Sequence, residues 1–260
     1  MPNKAPDYPK PSGLLAGKTI VITAAAGSGI GGAVAQRAAE EGAELFLSDM
    51  HVRRLDETAD RIAAKGFVRP GTLVCDVTNE GQVQALVAAA IGRMGRVDIL
   101  INNAGLGGAA AVVDMTDDQW SRVLDVTLTS VFRMTRAILP HMYERGAGVI
   151  VNNASVLGWR AQKLQAHYAA AKAGVMAFTR CSAVEAAEHG VRINAVAPSL
   201  AMHAALDKVT PPGLLEELTQ REAFGRYAEP WEVANIMLFL ASDLSSYMTG
   251  EIVSVSSQQA

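Results

Sequence analysis

Three residues near the middle of the chain have types and spacing suited to moving a proton. They are Ser155, Tyr168 thirteen positions on, and Lys172 four beyond that. Residues four apart on a helix leave the same face, so Tyr168 and Lys172 are expected side by side, with Ser155 where the preceding apolar run ends. A phenol titrates near about 10 and is a weak base at neutral pH. An ammonium within reach favours the phenolate, and a serine hydroxyl can hold the oxygen that the phenol protonates or deprotonates. A Tyr and a Lys at this spacing also occur on many helices without any catalytic role, so the rest of the chain decides their weight.

The elements that must position them alternate regularly. An apolar run at 18–23 ends in the glycine turn 24–29, and a helical pattern over 30–41 closes at Gly42. Strands are then expected at 44–48, 71–75, 97–102, 148–153, 191–197 and 252–255. Helices are expected at 53–65, 80–94, about 117–144, 168–188 and 231–241. Strands apolar on both faces suit a parallel sheet covered on both sides, giving an α/β, doubly wound sheet of about seven strands in a single domain over residues 14–260. Residues 1–13 read as a flexible arm, and 199–227, broken by Pro211, Pro212 and Gly213, as an insertion beyond a strand end.

The first turn offers a cofactor site. Gly27, Ser28, Gly29, Ile30 and Gly31 lie where backbone N–H groups and a helix N-terminus can approach a pyrophosphate. Asp49, at the end of the second strand, can accept hydrogen bonds from the adenosine ribose and would repel a 2′-phosphate. NAD is therefore expected over NADP, although Arg53 and Arg54 follow closely and could offset the carboxylate. Asp76, with Val77 after it, either meets the adenine amino group or merely neighbours a helix cap.

Composition narrows the partners. With 260 residues, half of them apolar, and a formal net charge of −3, the chain carries no cationic footprint for nucleic acid or an anionic membrane. Cys75 and Cys181 stand apart without a CxxC or a paired His, so neither a metal site nor a disulfide is expected. No apolar run reaches membrane-spanning length, and a cytoplasmic location is expected.

Asn102-Asn103-Ala104-Gly105, Asn153-Ala154-Ser155, Tyr168-Ala169-Ala170-Ala171-Lys172 and Arg192-Ile193-Asn194-Ala195-Val196-Ala197-Pro198 together resemble the short-chain dehydrogenase/reductase family over nearly the whole chain. The resemblance implies a Rossmann-type fold and a nicotinamide cofactor. It makes Tyr168 the acid/base, Lys172 the group that lowers its pKa and holds the nicotinamide ribose, and Ser155 the group that positions substrate. Asn103, Ala104, Gly105 and Pro198 would line the cofactor cleft. The chain departs from the family in four places. Ala24 stands at the early glycine of a turn one residue longer than usual, and Thr127 replaces the Asn that completes the proton relay. Ser199 replaces the Gly after Pro198, and His203 stands where a Thr usually touches the carboxamide.

Substrate contacts are expected from loops beyond the strand ends, with Leu106, Val156, Leu157, Trp159 and Met202 apolar, and Arg160, Lys163, His167 and His203 as polar or cationic handles. Segments 152–162, 179–183 and 222–226, with Thr127, resemble the actinobacterial dehydrogenases of steroid C/D-ring breakdown. That implies a secondary alcohol or ketone on a bicyclic acyl-CoA. The alternatives are an NADPH-dependent 3-oxoacyl-thioester reductase and, in another class, an inactive nicotinamide-binding sensor or scaffold. Ala137, Ala173, Val175, Ala177 and Ala183 are expected on outward helix faces, and with the resemblance they imply a homotetramer.

Overall fold

The structure is a computed structural model that describes residues 4–201 and 213–257. Seven strands form one parallel sheet among the described residues: β1 (Thr19–Ile22), β2 (Glu44–Asp49), β3 (Gly71–Val74), β4 (Ile99–Asn102), β5 (Gly148–Asn153), β6 (Val191–Pro198) and β7 (Ile252–Val255). Their order is β3-β2-β1-β4-β5-β6-β7, which reverses between β1 and β4. In such sheets the crevice at the carboxyl ends of the strands beside the reversal is where ligands bind.

The continuous apolar runs reflect burial on both faces: every residue of β1 and of β4 is buried. On one side pack α1 (Ile30–Glu40), α2 (Val52–Ala64) and α8 (Pro230–Ala241), through Val34, Ala38, Leu55, Ile62, Val233 and Met237. On the other pack α3 (Glu80–Met94), α5 (Ser130–Arg145) and α6 (Ala166–Ala187), through Leu86, Met134, Ile138, Met142 and Ala186. Each fully buried aliphatic side chain is worth about 1.5–3 kcal/mol, so this two-sided core is what fixes the strand ends in place. A charge at Ile101 would be expected to break it.

The helix expected over 117–144 is interrupted. It runs as α4 (Asp117–Leu124), a π-helical turn at Asp125–Thr129, and then α5. Thr116 caps α4 in a reciprocal box with Gln119. The region expected as an irregular insertion contains a helix, α7 (Leu214–Arg221), entered through Gly213 at φ 80°. Pro211, Pro212 and Gly213 concealed it, since they read as breakers although one of them starts the helix. Residues 4–13 form no helix or strand, but Tyr8 bonds Glu40 and packs its ring edge-on to Trp231, while Ser12 and Leu14 donate to Glu41.

Candidate active site

Ser155 is the second residue beyond β5, in extended conformation, and its Oγ accepts the Leu157 N–H at 3.2 Å as the chain turns into a short 3₁₀ segment, Val156–Gly158. That N–H occupies an acceptor site and leaves the hydroxyl proton to be donated elsewhere. Tyr168 and Lys172 lie one turn apart on α6, as their spacing predicts, with the ammonium 5.5 Å from the phenol ring centre. Lys172 is 3% exposed and donates to the Asn153 carbonyl at 2.5 Å. The anchor is a backbone atom, invisible to any reading of side-chain types.

Burial dominates the titration of both groups. Tyr168 is pushed up to about 12 by desolvation, with a hydrogen bond from the Ser155 side chain pulling it partly back, and desolvation pushes Lys172 down to about 7. Lys172 was expected to lower Tyr168. In this structure desolvation raises the phenol, and Ser155 rather than Lys172 is the group that lowers it.

Thr127 is fully buried in the π-helical turn, and its Oγ1 accepts the Leu106 N–H at 3.0 Å and donates to the Leu106 carbonyl at 3.1 Å. Its single proton is therefore committed to the loop after β4, and the role expected for a relay side chain, holding a water for the lysine, is not what its bonds show. It stands behind the cleft: a methyl on Gly105 would lie 3.5 Å from Lys172 Nζ and 4.0 Å from Thr127 Oγ1.

One continuous cleft of about 2640 Å³ joins the glycine turn to the Ser155–Tyr168–Lys172 group and to α7. It is larger than the roughly 300–1,000 Å³ typical of a single small ligand. Gly27, Ser28, Gly29, Ile30, Gly31, Asp49, Asp76, Val77, Asn103, Ala104, Gly105 and Pro198 all line it. Ala24, at the usual glycine position, adopts the left-handed φ of 50° itself. Close packing explains two glycines, since a Cβ on Gly31 would sit 2.2 Å from the Ala24 carbonyl and one on Gly32 2.1 Å from the Gly27 carbonyl. Gly32 is not among the expected site glycines.

Asp49 lines the cleft and also braces the turn, its oxygens accepting from Ala26 N at 3.1 Å and His51 N at 3.0 Å. Thr58 and Arg61 of α2 hold Gly27 from the other side. Asp76 lines the cleft too, while its carboxylate accepts from the Thr78 N–H and hydroxyl just before the Asn79 cap of α3. Thr23 escaped the sequence reading. Its hydroxyl takes the N–H groups of Asn103 and Ala104, while the Asn103 side chain receives Asn153 and reaches Ala24, joining both halves of the cleft.

On the substrate side, Leu106, Val156, Leu157, Arg160 and Lys163 line the cleft, joined by Trp120 and Arg122 of α4 and by Leu215, Leu218 and Glu222 around α7. Two expectations change. Trp159 is not on the cleft wall and is 52% exposed, because the 3₁₀ turn is packed onto α6 at Gly158, leaving 157 and 160 inward and 159 outward. His167 is buried beneath the wall rather than lining it. Met202 and His203 lie outside the described residues.

A family described as enoyl-(acyl carrier protein) reductase matches residues 24–257. A crystal structure titled as a short chain dehydrogenase from Mycobacterium smegmatis superposes with a TM-score of 0.88 at 57% identity, covering 99% of each chain. The chain belongs to the short-chain dehydrogenase/reductase family. A Mycobacterium tuberculosis protein named (5R,7aS)-5-hydroxy-7a-methyl-1-oxo-2,3,5,6,7,7a-hexahydro-1H-indene-carboxyl-CoA reductase is 64% identical over 95% of this chain and 94% of its own. The Thermotoga maritima 3-oxoacyl-[acyl-carrier-protein] reductase FabG is 38% identical over 93% and 97%. An actinorhodin polyketide ketoreductase crystallised with NADPH superposes with a TM-score of 0.87 at 33% identity, over 92% and 96%.

The short-chain dehydrogenase/reductase is thus an oxidoreductase that binds a nicotinamide cofactor. Its residues fit that group. No side chain caps the N-terminus of α1 at Gly29, so the first N–H groups of that helix are left for an anion, and the glycine contacts leave no room for side chains there. None of its helices among the described residues is long and apolar enough to cross a membrane.

Proposed function

We propose that the protein interconverts a secondary alcohol and a ketone on a bicyclic, hydrindane-type acyl-CoA, with NAD as cofactor. The observation that carries this reading is the 64% identity, over nearly the whole of both chains, to a reductase named for such a substrate. The cleft supports it. Beyond Ser155 its walls are apolar at Leu106, Val156, Leu157 and Leu218, while Arg122, Arg160 and Lys163 line it with no carboxylate partner among the described residues. Those cations suit the phosphates of the carrier, whereas Arg221 is already paired with Glu217.

The nicotinamide, when bound, supplies or accepts the hydride. In the reductive direction Tyr168 gives its phenolic proton to the ketone oxygen, and the Ser155 hydroxyl, turned from the phenol to substrate, hydrogen-bonds the same oxygen as negative charge develops. Lys172, tethered to Asn153, holds a cation or a neutral donor beside the phenol according to pH. A phenol raised to about 12 keeps its proton at neutral pH, which is the form the ketone-reducing direction uses.

Asp49 supports NAD, because a 2′-phosphate would meet a carboxylate that the turn itself depends on. Arg54, which also lines the cleft, and the NADPH-bound ketoreductase favour the second reading, an NADPH-dependent 3-oxoacyl-thioester reductase like FabG. Initial rates with bicyclic hydroxyacyl-CoA, linear 3-hydroxyacyl-CoA and the corresponding ketones, each with both nicotinamides, separate the two. The expected result is at least tenfold higher kcat/KM for the bicyclic ester with NAD(H). Preference for the linear ester with NADP(H) would establish the second reading, and binding of cofactor without turnover of any substrate would leave a sensor or scaffold.

A further inference from the structure

The loop after β4 reads Leu106-Gly107-Gly108-Ala109-Ala110-Ala111, with no bulky side chain after Leu106 to hold a shape of its own. It nevertheless forms cleft wall at residues 106–109. Its conformation is imposed from outside. Thr127 grips both backbone groups of Leu106. Further on, the Gln165 side-chain amide donates to the Gly108 carbonyl at 2.7 Å, and the Ala110 N–H donates to the Leu164 carbonyl at 3.1 Å. Leu164 adopts φ 67°, a left-handed conformation unfavourable for a branched apolar residue, and that strain accompanies the carbonyl that meets Ala110. Beneath, the His167 imidazole is 2% exposed, and a Cβ on Gly108 would come within 3.0 Å of its Nε2.

From these contacts we infer that Gln165 and the strained Leu164 are specificity-determining positioning residues that clamp the 106–111 loop and so set the width of the substrate half of the cleft for a bulky ring system. Both residues line the cleft, so the clamp is part of the wall that the substrate meets. Without it the glycine pair would let the wall sample many positions, and a rigid bicyclic substrate would lose its fit before a short flexible one did. The inference rests on the bicyclic reading of the substrate.

The test is Gln165→Met, which keeps length and removes the donor, alongside Gly108→Ala, which presses on His167 without altering Gln165. Kinetics are compared on a bicyclic hydroxyacyl-CoA and on acetoacetyl-CoA, with cofactor Kd and amide hydrogen exchange across 106–111 measured on the same proteins. In Gln165→Met KM for the bicyclic ester should rise roughly 3- to 10-fold, the scale of one neutral hydrogen bond, and in Gly108→Ala, which keeps that bond, it should rise as the loop is pushed off His167. The cofactor Kd should stay within about twofold of wild type, and KM for acetoacetyl-CoA should rise by less than KM for the bicyclic ester. Exchange at 106–111 should accelerate, including at Ala110. Equal losses on both substrates, or unchanged exchange in Gln165→Met, would overturn the clamp. A wild-type protein that turns over only acetoacetyl-CoA would overturn the bicyclic reading instead, while the exchange experiment would still decide whether Gln165 holds the loop.

Discussion

Tyr168 and Lys172 both resist charge in their buried setting, and that sets the pH behaviour of the reaction. With Tyr168 near about 12 and Lys172 near about 7, kcat/KM for ketone reduction should show one shallow limb near neutral pH as Lys172 loses its charge and fall again only in strong alkali, while alcohol oxidation should climb with pH. Ser155 lowers the phenol, so Ser155→Ala should move the oxidative limb further to alkaline pH as well as reduce turnover. Tyr168→Phe keeps the ring and removes the proton; turnover should drop by about 10²-fold or more, with cofactor binding little changed, as initial rates and a binding titration would show. The spacing of Ser155, Tyr168 and Lys172 was legible because side-chain identity and helical period suffice to bring them together. The Asn153 carbonyl that tethers Lys172, and the Thr127 hydroxyl turned onto Leu106, were not legible, because the partner in each case is backbone.

Asp49 poses a related question at the other end of the cleft. Replacement by Ala would remove the brace on Ala26 as well as the charge, so Asp49→Asn is the sharper variant. It should weaken NAD and narrow its lead over NADP by on the order of 1–3 kcal/mol, read as the ratio of the two dissociation constants. A wild type that already prefers NADPH would transfer the decision to Arg54.

Among elements, α1 is held at its C-terminal end by a buried arrangement that hydropathy patterns do not reveal. Arg37 and Glu41, both nearly fully buried, pair at 2.8 Å, and Arg37 also reaches Asn235 of α8. Burial alone would raise the Glu41 carboxyl, but the Leu14 and Ser12 N–H groups, the Ser12 hydroxyl and Arg37 outweigh it and hold it below its usual range. A carboxylate with a depressed folded pKa contributes stability that is present above its unfolded pKa and lost as pH falls through the folded value. Arg37 keeps its pair with Glu40 at 2.9 Å, so Glu41→Gln should cost about 1.5–3 kcal/mol at neutral pH, the scale of hydrogen bonds to a charged group, and the deficit should shrink in acid, measured by denaturant unfolding at several pH values. The strands and most helices were readable because two-sided burial writes itself as apolar runs. The π-helical turn at Asp125–Thr129 and α7 were not, since one inserts a residue without changing the pattern and the other begins behind two prolines and a glycine.

At the scale of the whole molecule, the parallel sheet and its reversal between β1 and β4 follow from the alternating pattern, but the outward faces were read only in part. Val175 and Ala183, expected to face out, are fully buried against the sheet, because positions two apart on α6 point to nearly opposite sides. The outward stripe is instead Ala173, Ala177 and Val184, the last 71% exposed, with Phe132 of α5 half-exposed beside it and touching Phe178 edge to face. Small residues flanked by an aromatic let two helices approach closely, and a face of this kind repeated by a two-fold axis buries itself. A homotetramer is the expected assembly, measured as mass by analytical ultracentrifugation at micromolar concentration. Ala177→Glu places a charge in the middle of the stripe, remote from the Ser155–Tyr168–Lys172 cleft, and should lower the mass while leaving cofactor affinity within about twofold. A wild type that sediments as a monomer would show that this face is simply solvated.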